Sequence, residues 1–526
     1  MSEEKASITG IYAPSDKRRI ALLSGAVGQA DRITIKGQVV DVPVSEDQKE
    51  EEWDHFLGLP LSLINEIHPL QDFAMSLVRR PRLRLEVLNT TPQNFNPERL
   101  DESAILYQSE EFTAGDDSFF SHSIAPTLAP GDYVVRVILK GIDSLRQSVS
   151  DLSYVRHEHS AILKTNVPIG YGKLRVLDPE YSGFIITSDI DQTFLDTPMH
   201  SRRGLLEVLF QKPESRRHIP GMPAFYRQLQ NSTLPGARDR HIVPTLFISA
   251  SPHFFRRSLS VVFEQHDIEI NALHLKYLVS TFDNMLNKIR NSALNLNELL
   301  QGGMQEALDR SLKFVGSSLA SLFDQIAYKL ITLLENRLMQ PSQAREILMG
   351  DNTEGDYFIF VLYQYLLMNR LGGKELENYL YNLNFQDREV LTRDSAKEMV
   401  RLAQENQKRH GASNPVAAVW INRSHESPAT AQMCQIIKES LPESLQDGFL
   451  DDAAIQKPIA CYTGVGFALA ALDASLMTET GVREVIDRAI GREYLGTQID
   501  QAIIKTTIQE FEFRQAHPEI KDTLYH

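Results

Sequence analysis

The feature that most restricts how this chain of 526 residues can fold is an apolar run that stops at a pair of acids. Residues 183–188 read Gly-Phe-Ile-Ile-Thr-Ser, and the chain continues with Asp189, Asp191 and Thr193. So short an apolar run is typical of a strand buried in a parallel sheet. Ligands bind beyond the carboxyl ends of such strands, where two acids spaced by two positions can both face the crevice. One carboxylate can then attack a substrate while the other transfers a proton.

Short apolar runs alternate with longer segments of helical periodicity from about residue 181 onwards. This alternation predicts an α/β fold with a parallel sheet. The predicted strands are residues 183–188, 243–249, 346–349 and 416–421. Before residue 181 apolar and polar residues alternate within each run, which predicts a sandwich-like β module. Its predicted strands are residues 33–40, 83–87, 133–139 and 173–176.

The sequence predicts three regions. Residues 1–180 form a β-rich N-terminal module, with one or two helices inserted over residues 53–78. Residues 181–425 form the α/β domain, which carries a long helical insertion over about residues 283–326. Residues 426–526 are expected to be largely helical.

Two further predicted strands end in polar side chains, and a lysine lies between them in the chain. Ser249 and Ser251 close the second strand of the α/β domain, and Asp351 and Asp356 follow the third. Lys329 comes after a tyrosine, at the start of an amphipathic segment. Because the carboxyl ends of parallel strands meet at one edge of a sheet, we expect these side chains to lie near the first acid pair.

These motifs, in this order, resemble the haloacid-dehalogenase superfamily of aspartyl phosphatases, which implies a Rossmann-like parallel sheet. A closer similarity is to the phosphatidate phosphatases of the lipin and actin-patch-protein type. Those enzymes carry Asp-Ile-Asp-x-Thr, Ser-x-Ser-Pro, Tyr-Lys, and Gly-Asp followed after four residues by Asp. The corresponding segments here are residues 189–193, 249–252, 328–329 and 350–356. Residues 221–226 and 275–277 also look like that subgroup.

The sequence departs from this pattern in two places. Gln192 stands where the actin-patch type has Asp and lipins have Gly, so this position is not expected to be catalytic. The helical insertion before Lys329 is also longer than the resemblance leads us to expect, which bears on substrate access and identity.

The resemblance implies a Mg²⁺-dependent phosphatase that works through an aspartyl-phosphate. Asp189 would be the nucleophile and a metal ligand. Asp191 would be the general acid for the leaving group, then the base for water, and would lend its backbone carbonyl to the metal. Asp351 would complete the metal site, with Asp356 as a ligand or as a partner of the ligands. Mg²⁺ suits such oxygen ligands, and it offsets the repulsion between a carboxylate and a phosphate anion.

Two other side chains are expected to hold the phosphoryl oxygens. Ser249 is one, with Ser251 as a competitor for the same role. Lys329 is the other, acting as a compact positive charge. Lys276 and Lys313 compete with it, but the apolar helical segment that follows Lys329 favours this position.

The leading interpretation is an enzyme that hydrolyses phosphatidate to diacylglycerol at a membrane surface. The first alternative is a phosphatase of a soluble phosphate ester or a phosphoprotein. The second is a non-catalytic scaffold that keeps the fold, although no catalytic position is visibly lost. The sequence gives no indication of an oligomeric state or of a protein partner.

Composition excludes several classes of protein. The chain has 54 basic and 69 acidic side chains, a net charge of −15, which argues against sequence-independent binding of nucleic acid. Cys434 and Cys461 are too few for a disulfide framework or a cysteine-based zinc site, which favours a reducing compartment. No signal peptide is readable, and residues 459–477, the closest candidate for a membrane span, are interrupted by Asp473. We expect a buried helix there and a cytoplasmic protein that works peripherally on membranes, with signal-less secretion open as an alternative.

Three smaller features have competing interpretations. A basic cluster between the first two motifs is interpreted as a solvated loop, with docking to anionic lipid headgroups as the alternative. It consists of Arg202, Arg203, Lys212, Arg216 and Arg217. Residues 157–159 (His-Glu-His) are interpreted as an exposed polar stretch, because no third metal ligand is near. Gly464 and Gly466 predict close helix packing, since no phosphate-loop context surrounds them.

Overall fold

The computed structural model describes sixteen stretches of the chain. They are residues 11–12, 17–43, 55–56, 59–60, 76–95, 104–142, 167–197, 216–231, 243–276, 325–353, 355–385, 388–389, 392–423, 430–490, 501–513 and 524. Within them a β-sandwich precedes a parallel sheet that is covered by helices on both faces.

The sandwich consists of two mainly antiparallel sheets around one apolar core. The first sheet contains β1 (Ile11–Tyr12), β2 (Lys17–Leu23), β4 (Ile33–Pro43), β7 (Ser76–Leu77) and β11 (Phe119–Ile124). The second contains β3 (Ala26–Gly28), β8 (Pro81–Leu88), β9 (Ile105–Gln108), β10 (Phe112–Thr113), β12 (Gly131–Ile142) and β13 (Val167–Val176). Alternate residues such as Ile35, Leu85 and Val137 enter the shared core. This is what the period-two pattern requires, and all four predicted strands lie within these elements.

The parallel sheet has six strands, and the two that were predicted to carry acids lie side by side. In sheet order they are β16 (Ala272–Lys276), β15 (Thr245–Pro252), β14 (Phe184–Ser188), β17 (Arg345–Asp351), β20 (Val416–Asn422) and β21 (Ile459–Cys461). All five neighbouring pairs are parallel. The α/β class and its four predicted strands are therefore confirmed.

Helices cover both faces of this sheet. They are α1 (Met222–Gln230), α2 (Arg256–Gln265), α3 (Gln325–Met339), α4 (Asp356–Leu367), α5 (Gly373–Tyr381), α6 (Arg393–His410), α7 (Thr430–Ser440), α8 (Glu443–Gln446), α9 (Thr463–Asp473), α10 (Glu479–Ile490) and α11 (Gln501–Glu510). A 3₁₀ turn spans His253–Phe255. Two short strand pairs are β5 (His55–Phe56) with β6 (Leu59–Pro60) and β18 (Asn384–Phe385) with β19 (Arg388–Glu389).

Neighbouring residues of one strand face opposite cores. On β17, Met349 packs in the core that contains α1, α9 and α10, whereas Leu348 packs in the core that contains α3 and α4. A strand covered on both faces must be apolar throughout, which is why these runs show no alternation in sequence.

Two strands of the sheet were not predicted. Residues 272–276 read Ala-Leu-His-Leu-Lys, in which a buried histidine interrupts the apolar run. Residues 459–461 are only three long, and they lie in the region predicted to be helical. That region is otherwise helical, but one of its segments completes the sheet. The division into three regions with a boundary at residue 425 accordingly stays a proposal.

The predicted inserted helices lie mostly outside the described residues. Within residues 53–78, the described positions 55–56, 59–60 and 76–77 form short strands, so helix does not extend over them. Of the predicted insertion over residues 283–326, only residues 325 and 326 are described, and they begin α3.

Ion pairs join the sandwich to the helices of the α/β part. Lys36 on β4 forms an ion pair with Glu335 on α3, and Arg32 Nη2 lies 3.0 Å from Glu405 Oε2 on α6. In this pair Lys36 is buried and Glu335 is half-buried.

The stretch weighed as a membrane span contains β21 and α9. Every residue of α9 is buried, and the helix packs against α1, α10 and α11. A Cβ added to Gly464 would lie 2.2 Å from the carbonyl carbon of Gly221, so the predicted close packing is confirmed. In the described part of the chain, no helix combines the length and apolarity needed to cross a bilayer.

Candidate functional site

The predicted site residues meet at the carboxyl edge of the parallel sheet. Strand β14 lies between β15 and β17, and Asp189 is the first residue after it. Ser249 lies near the end of β15, and Asp351 is the last residue of β17. Each of these side chains is almost fully buried.

Three carboxylates converge at this edge. One oxygen each from Asp189, Asp351 and Asp356 lies within 4.8 Å of the other two, and the three residues are at most 2% exposed. Residues 189 and 351 come from neighbouring strands, whereas Asp356 begins helix α4. The carboxylates of two strand ends that are distant in sequence therefore lie close enough together to bind one ion.

Lys329 supplies the positive charge of this cluster. Its Nζ donates to Asp356 Oδ1 at 2.6 Å and lies 3.0 Å from Asp189 Oδ1. The side chain is 2% exposed and reaches the cluster from helix α3. Its competitor Lys276 ends β16 with a partly exposed side chain, and Lys313 lies outside the described residues.

A glycine allows the helix-borne acid to approach the strand. A Cβ on Gly350 would lie 2.4 Å from Asp356 Oδ2, so any larger residue would displace this carboxylate. The backbone N–H of Asp351 donates to the same oxygen at 3.2 Å. Asp351 Oδ1 in turn accepts from the backbone N–H of Thr353 at 2.5 Å and from its hydroxyl. The Gly-Asp motif thus fixes both carboxylates in position.

Asp191 does not belong to the three-carboxylate cluster and is bound by the serines of β15. Its Oδ2 accepts from Ser249 Oγ at 2.9 Å and from Ser251 Oγ at 2.6 Å. Ser249 Oγ also accepts the backbone N–H of Ser251 at 2.9 Å. Both hydroxyls thus bind one oxygen of the same acid, and the contact of Ser249 or Ser251 with the phosphoryl oxygens stays a prediction. The part predicted for the Asp191 backbone carbonyl as a metal ligand stays a prediction.

The loop after Asp189 is held in a tight bend by Gln192. This residue has φ of 56°, the left-handed region that favours glycine. Its side-chain amide donates to the carbonyl of Thr197 at 2.5 Å, away from the acids. Asn422, the last residue of β20, donates to the Gln192 carbonyl at 2.6 Å. Gln192 therefore shapes the loop, and Asn422 is a positioning residue that the sequence analysis missed.

Tyr226 forms a hydrogen bond with the last residue of β14. The hydroxyls of Tyr226 and Ser188 lie 2.5 Å apart, and Ser188 directly precedes Asp189. Burial is the main cause that raises the pKa of Tyr226 well above its ordinary value, and the Asp189 charge adds to the effect. The hydroxyl therefore keeps its proton and serves as a hydrogen-bonding group in this position.

The donor set of the carboxylate cluster fits a hard divalent cation. Lys329 pairs with two of the three buried carboxylates, so these four described groups together carry an excess of negative charge. Buried charges are unfavourable unless they are paired or coordinate a metal. All the available atoms are oxygens, which Mg²⁺ prefers, and no cysteine or histidine belongs to the group.

The basic cluster does not behave as one solvated loop. Arg217 is exposed as expected, but its neighbour Arg216 is only 6% exposed. Residues 202, 203 and 212 of the cluster lie outside the described residues, as do residues 157–159. The prediction of a solvated position is thus wrong for Arg216, because tertiary contacts bury it.

Comparison with known proteins agrees with the motifs. Residues 184–318 match the family model described as phosphatidate phosphatase APP1, catalytic domain. No curated protein gives a match to the chain. The matched segment includes Asp189, Asp191 and Ser249 but ends before Lys329 and Asp351, which the fold brings to the same pocket. The resemblance to lipin-like phosphatidate phosphatases is therefore confirmed, and the chain carries a phosphatase catalytic domain.

Proposed function

We propose that this phosphatase hydrolyses phosphatidate to diacylglycerol and phosphate in a Mg²⁺-dependent reaction through an aspartyl-phosphate. The observation that carries the proposal is the buried cluster of Asp189, Asp351 and Asp356 with Lys329 between two of them. Such a pocket combines an acid that can attack, a second acid close by, and a place for a cation.

The cation would be held by the carboxylates of Asp189, Asp351 and Asp356, with the Asp191 carbonyl as a further expected ligand. When bound there, Mg²⁺ offsets the repulsion between the carboxylates and the phosphate anion. Lys329 adds a second positive charge on the same side, so the anionic substrate meets a pocket that is no longer repulsive.

Asp189 starts the reaction as the nucleophile. One of its carboxylate oxygens attacks phosphorus, and the bond from phosphorus to the glycerol oxygen breaks. Asp191 gives its proton to that oxygen, which leaves as the hydroxyl of diacylglycerol. Proton transfer by a positioned side chain contributes about 10²–10⁴-fold to the rate.

The second step reverses the part played by Asp191. As a carboxylate it takes a proton from water, which attacks phosphorus while the bond to the Asp189 oxygen breaks. Phosphate leaves, Asp189 is again a free carboxylate, and Asp191 is again protonated. Ser249 and Ser251 hold Oδ2 of Asp191, while Oδ1 accepts no hydrogen bond from a described residue and can face the reacting oxygen.

The lipid nature of the substrate rests on the family match, since the chemistry above suits any phosphate monoester. A membrane lipid as substrate fits a cytoplasmic protein that acts peripherally on membranes, which is part of the same proposal. The alternative substrate is a soluble phosphate ester or phosphoprotein.

The test is a phosphate-release assay with and without Mg²⁺. Mixed micelles of phosphatidate are compared with soluble sugar phosphates and phosphopeptides. We expect turnover of phosphatidate that needs Mg²⁺ and is lost in Asp189→Asn, which keeps the shape of the side chain but not its nucleophilicity. The matched control is Asp196→Asn, because Asp196 lies in the same loop but is exposed. Wild-type turnover in Asp189→Asn contradicts the mechanism, and a preference for soluble esters contradicts the lipid assignment.

A further inference from the structure

Arg216 is a buried cation with unused hydrogen-bond donors beside the site. The side chain is 6% exposed, and neither Nε nor Nη2 has a hydrogen-bond partner among the described residues. An unpaired donor buried away from water is destabilising, and more so when it is charged. Donors in this state are available to an anionic ligand.

Backbone contacts fix where Arg216 lies. The following residues run antiparallel to the loop after the nucleophile, with a bridge between His218 and Leu195. The N–H of Asp196 donates to the carbonyl of Arg217 at 3.0 Å, and the N–H of Ile219 donates to the carbonyl of Phe194 at 2.8 Å. The loop that carries Asp189 and Asp191 therefore determines the position of Arg216.

The guanidinium group of Arg216 also packs against an aromatic ring. Its Cζ lies 5.0 Å from the centre of the Phe255 ring, in the 3₁₀ turn that follows β15 and its serines. Burial lowers the pKa of Arg216 to about 10, and the Asp191 charge opposes this fall. The guanidinium group thus remains a cation at neutral pH, and it interacts electrostatically with Asp191.

The two unused atoms define what Arg216 can bind. Nε and Nη2 lie along one edge of the guanidinium plane, and their N–H bonds point in the same direction. The same edge is used elsewhere in this chain, where Arg175 Nε and Nη2 donate to the two oxygens of Asp132 at 2.8 and 3.1 Å. The matching ligand is an anion with two oxygens side by side, and a phosphate monoester has three.

We propose that Arg216 is a substrate-binding residue that holds two phosphate oxygens through its Nε–Nη2 edge. This inference rests on the proposed function, because it assigns Arg216 to the substrate of the same pocket. It gives the phosphate two cationic contacts from different elements, Lys329 from helix α3 and Arg216 from the segment that precedes α1.

The test measures binding of inorganic phosphate in the presence of Mg²⁺ by calorimetry. We expect Arg216→Gln to weaken binding about 10²-fold, since hydrogen bonds to charged groups are worth about 1.5–3 kcal/mol each and 1.4 kcal/mol is tenfold. Arg216→Lys keeps the charge but lacks the paired Nε and Nη2 donors, so we expect its affinity for phosphate to be about tenfold lower. The matched control is Arg217→Gln, which removes the same charge from the exposed neighbouring position and should bind phosphate as the wild type does.

The outcomes separate this inference from the proposed function. Unchanged phosphate affinity in folded Arg216→Gln and Arg216→Lys overturns the role of Arg216, even if the wild type hydrolyses phosphatidate. An equal loss in Arg217→Gln also overturns it, because the effect is then one of general charge. Arg216-dependent phosphate binding in a chain that cleaves no phosphate ester supports the inference and contradicts the proposed function. Circular dichroism establishes folding, and if Arg216→Gln does not fold, Arg216→Lys decides the result.

Discussion

Replacing Lys329 with Met should make the stability of the fold depend more strongly on Mg²⁺. The ammonium group contacts Asp356 at 2.6 Å and Asp189 at 3.0 Å, and the side chain is 2% exposed. Its removal leaves three buried carboxylates without the cation between them. Breaking a buried ion pair from one side costs about 3–5 kcal/mol. We expect the free energy of unfolding of Lys329→Met to fall by about this amount when EDTA removes divalent ions.

Added Mg²⁺ should recover much of this loss. Two unit charges about 4 Å apart interact by about 4 kcal/mol at an effective dielectric constant of about 20. Loss of the lysine charge beside the cation site therefore strengthens Mg²⁺ binding, and each 1.4 kcal/mol gained is a tenfold gain in affinity. Thermal unfolding followed across a MgCl₂ titration should show a larger rise in Tm for Lys329→Met than for the wild type.

The control is Lys36→Met, which breaks the ion pair between buried Lys36 and half-buried Glu335, neither of which belongs to the carboxylate cluster. It should lower stability by a similar amount in EDTA and in Mg²⁺. If Mg²⁺ raises the Tm of Lys329→Met no more than that of Lys36→Met, the carboxylate cluster is not a cation site and the reasoning fails.

Three further predictions concern other parts of the structure. Ser249→Ala and Ser251→Ala should each lower kcat about tenfold or more, because each removes a hydrogen bond to Asp191. If steady-state assays show a lower kcat in only one of the two variants, the other hydroxyl does not hold this acid. Gly464→Ala should reduce stability to urea by about 1–3 kcal/mol, because its Cβ would overlap the start of helix α1, and an unchanged midpoint would contradict the packing. Burial and neighbouring basic side chains lower the pKa of His266 to about 4 from its ordinary 6.5. Between these pH values His266 binds a proton only in the unfolded chain, so the stability of the fold decreases as the pH drops through this range. His266→Gln should flatten that pH dependence of the Tm, and an unchanged slope would assign the protonation elsewhere.

The strand ends that carry the chemistry were predictable because their signal is local. Residues 184–188 are apolar and short, and the position of Asp189 after them follows from the sequence alone. The meeting of Asp189 with Asp351 follows from a general property of parallel sheets. Strand order was not needed, since both strands end at the same edge.

What the sequence could not predict depends on contacts between distant segments. Arg216 and Arg217 are neighbours of the same type, yet in the folded chain one is buried and the other exposed. Contacts with distant residues, such as the packing of Arg216 against Phe255, are not visible in the sequence. Strand β21 has three residues, too few for a periodic signal. Asn422 is a different case, because it directly follows a predicted strand and could have been identified from that position.

The nucleophile can be identified by acid-quenched trapping of the enzyme during turnover of phosphate-labelled phosphatidate, followed by peptide mapping. We expect the label to be attached to Asp189 in the wild type and to be absent in Asp189→Asn. Label on another residue, or full turnover without any labelled Asp189, would show that the carboxylate at the end of β14 is not the nucleophile.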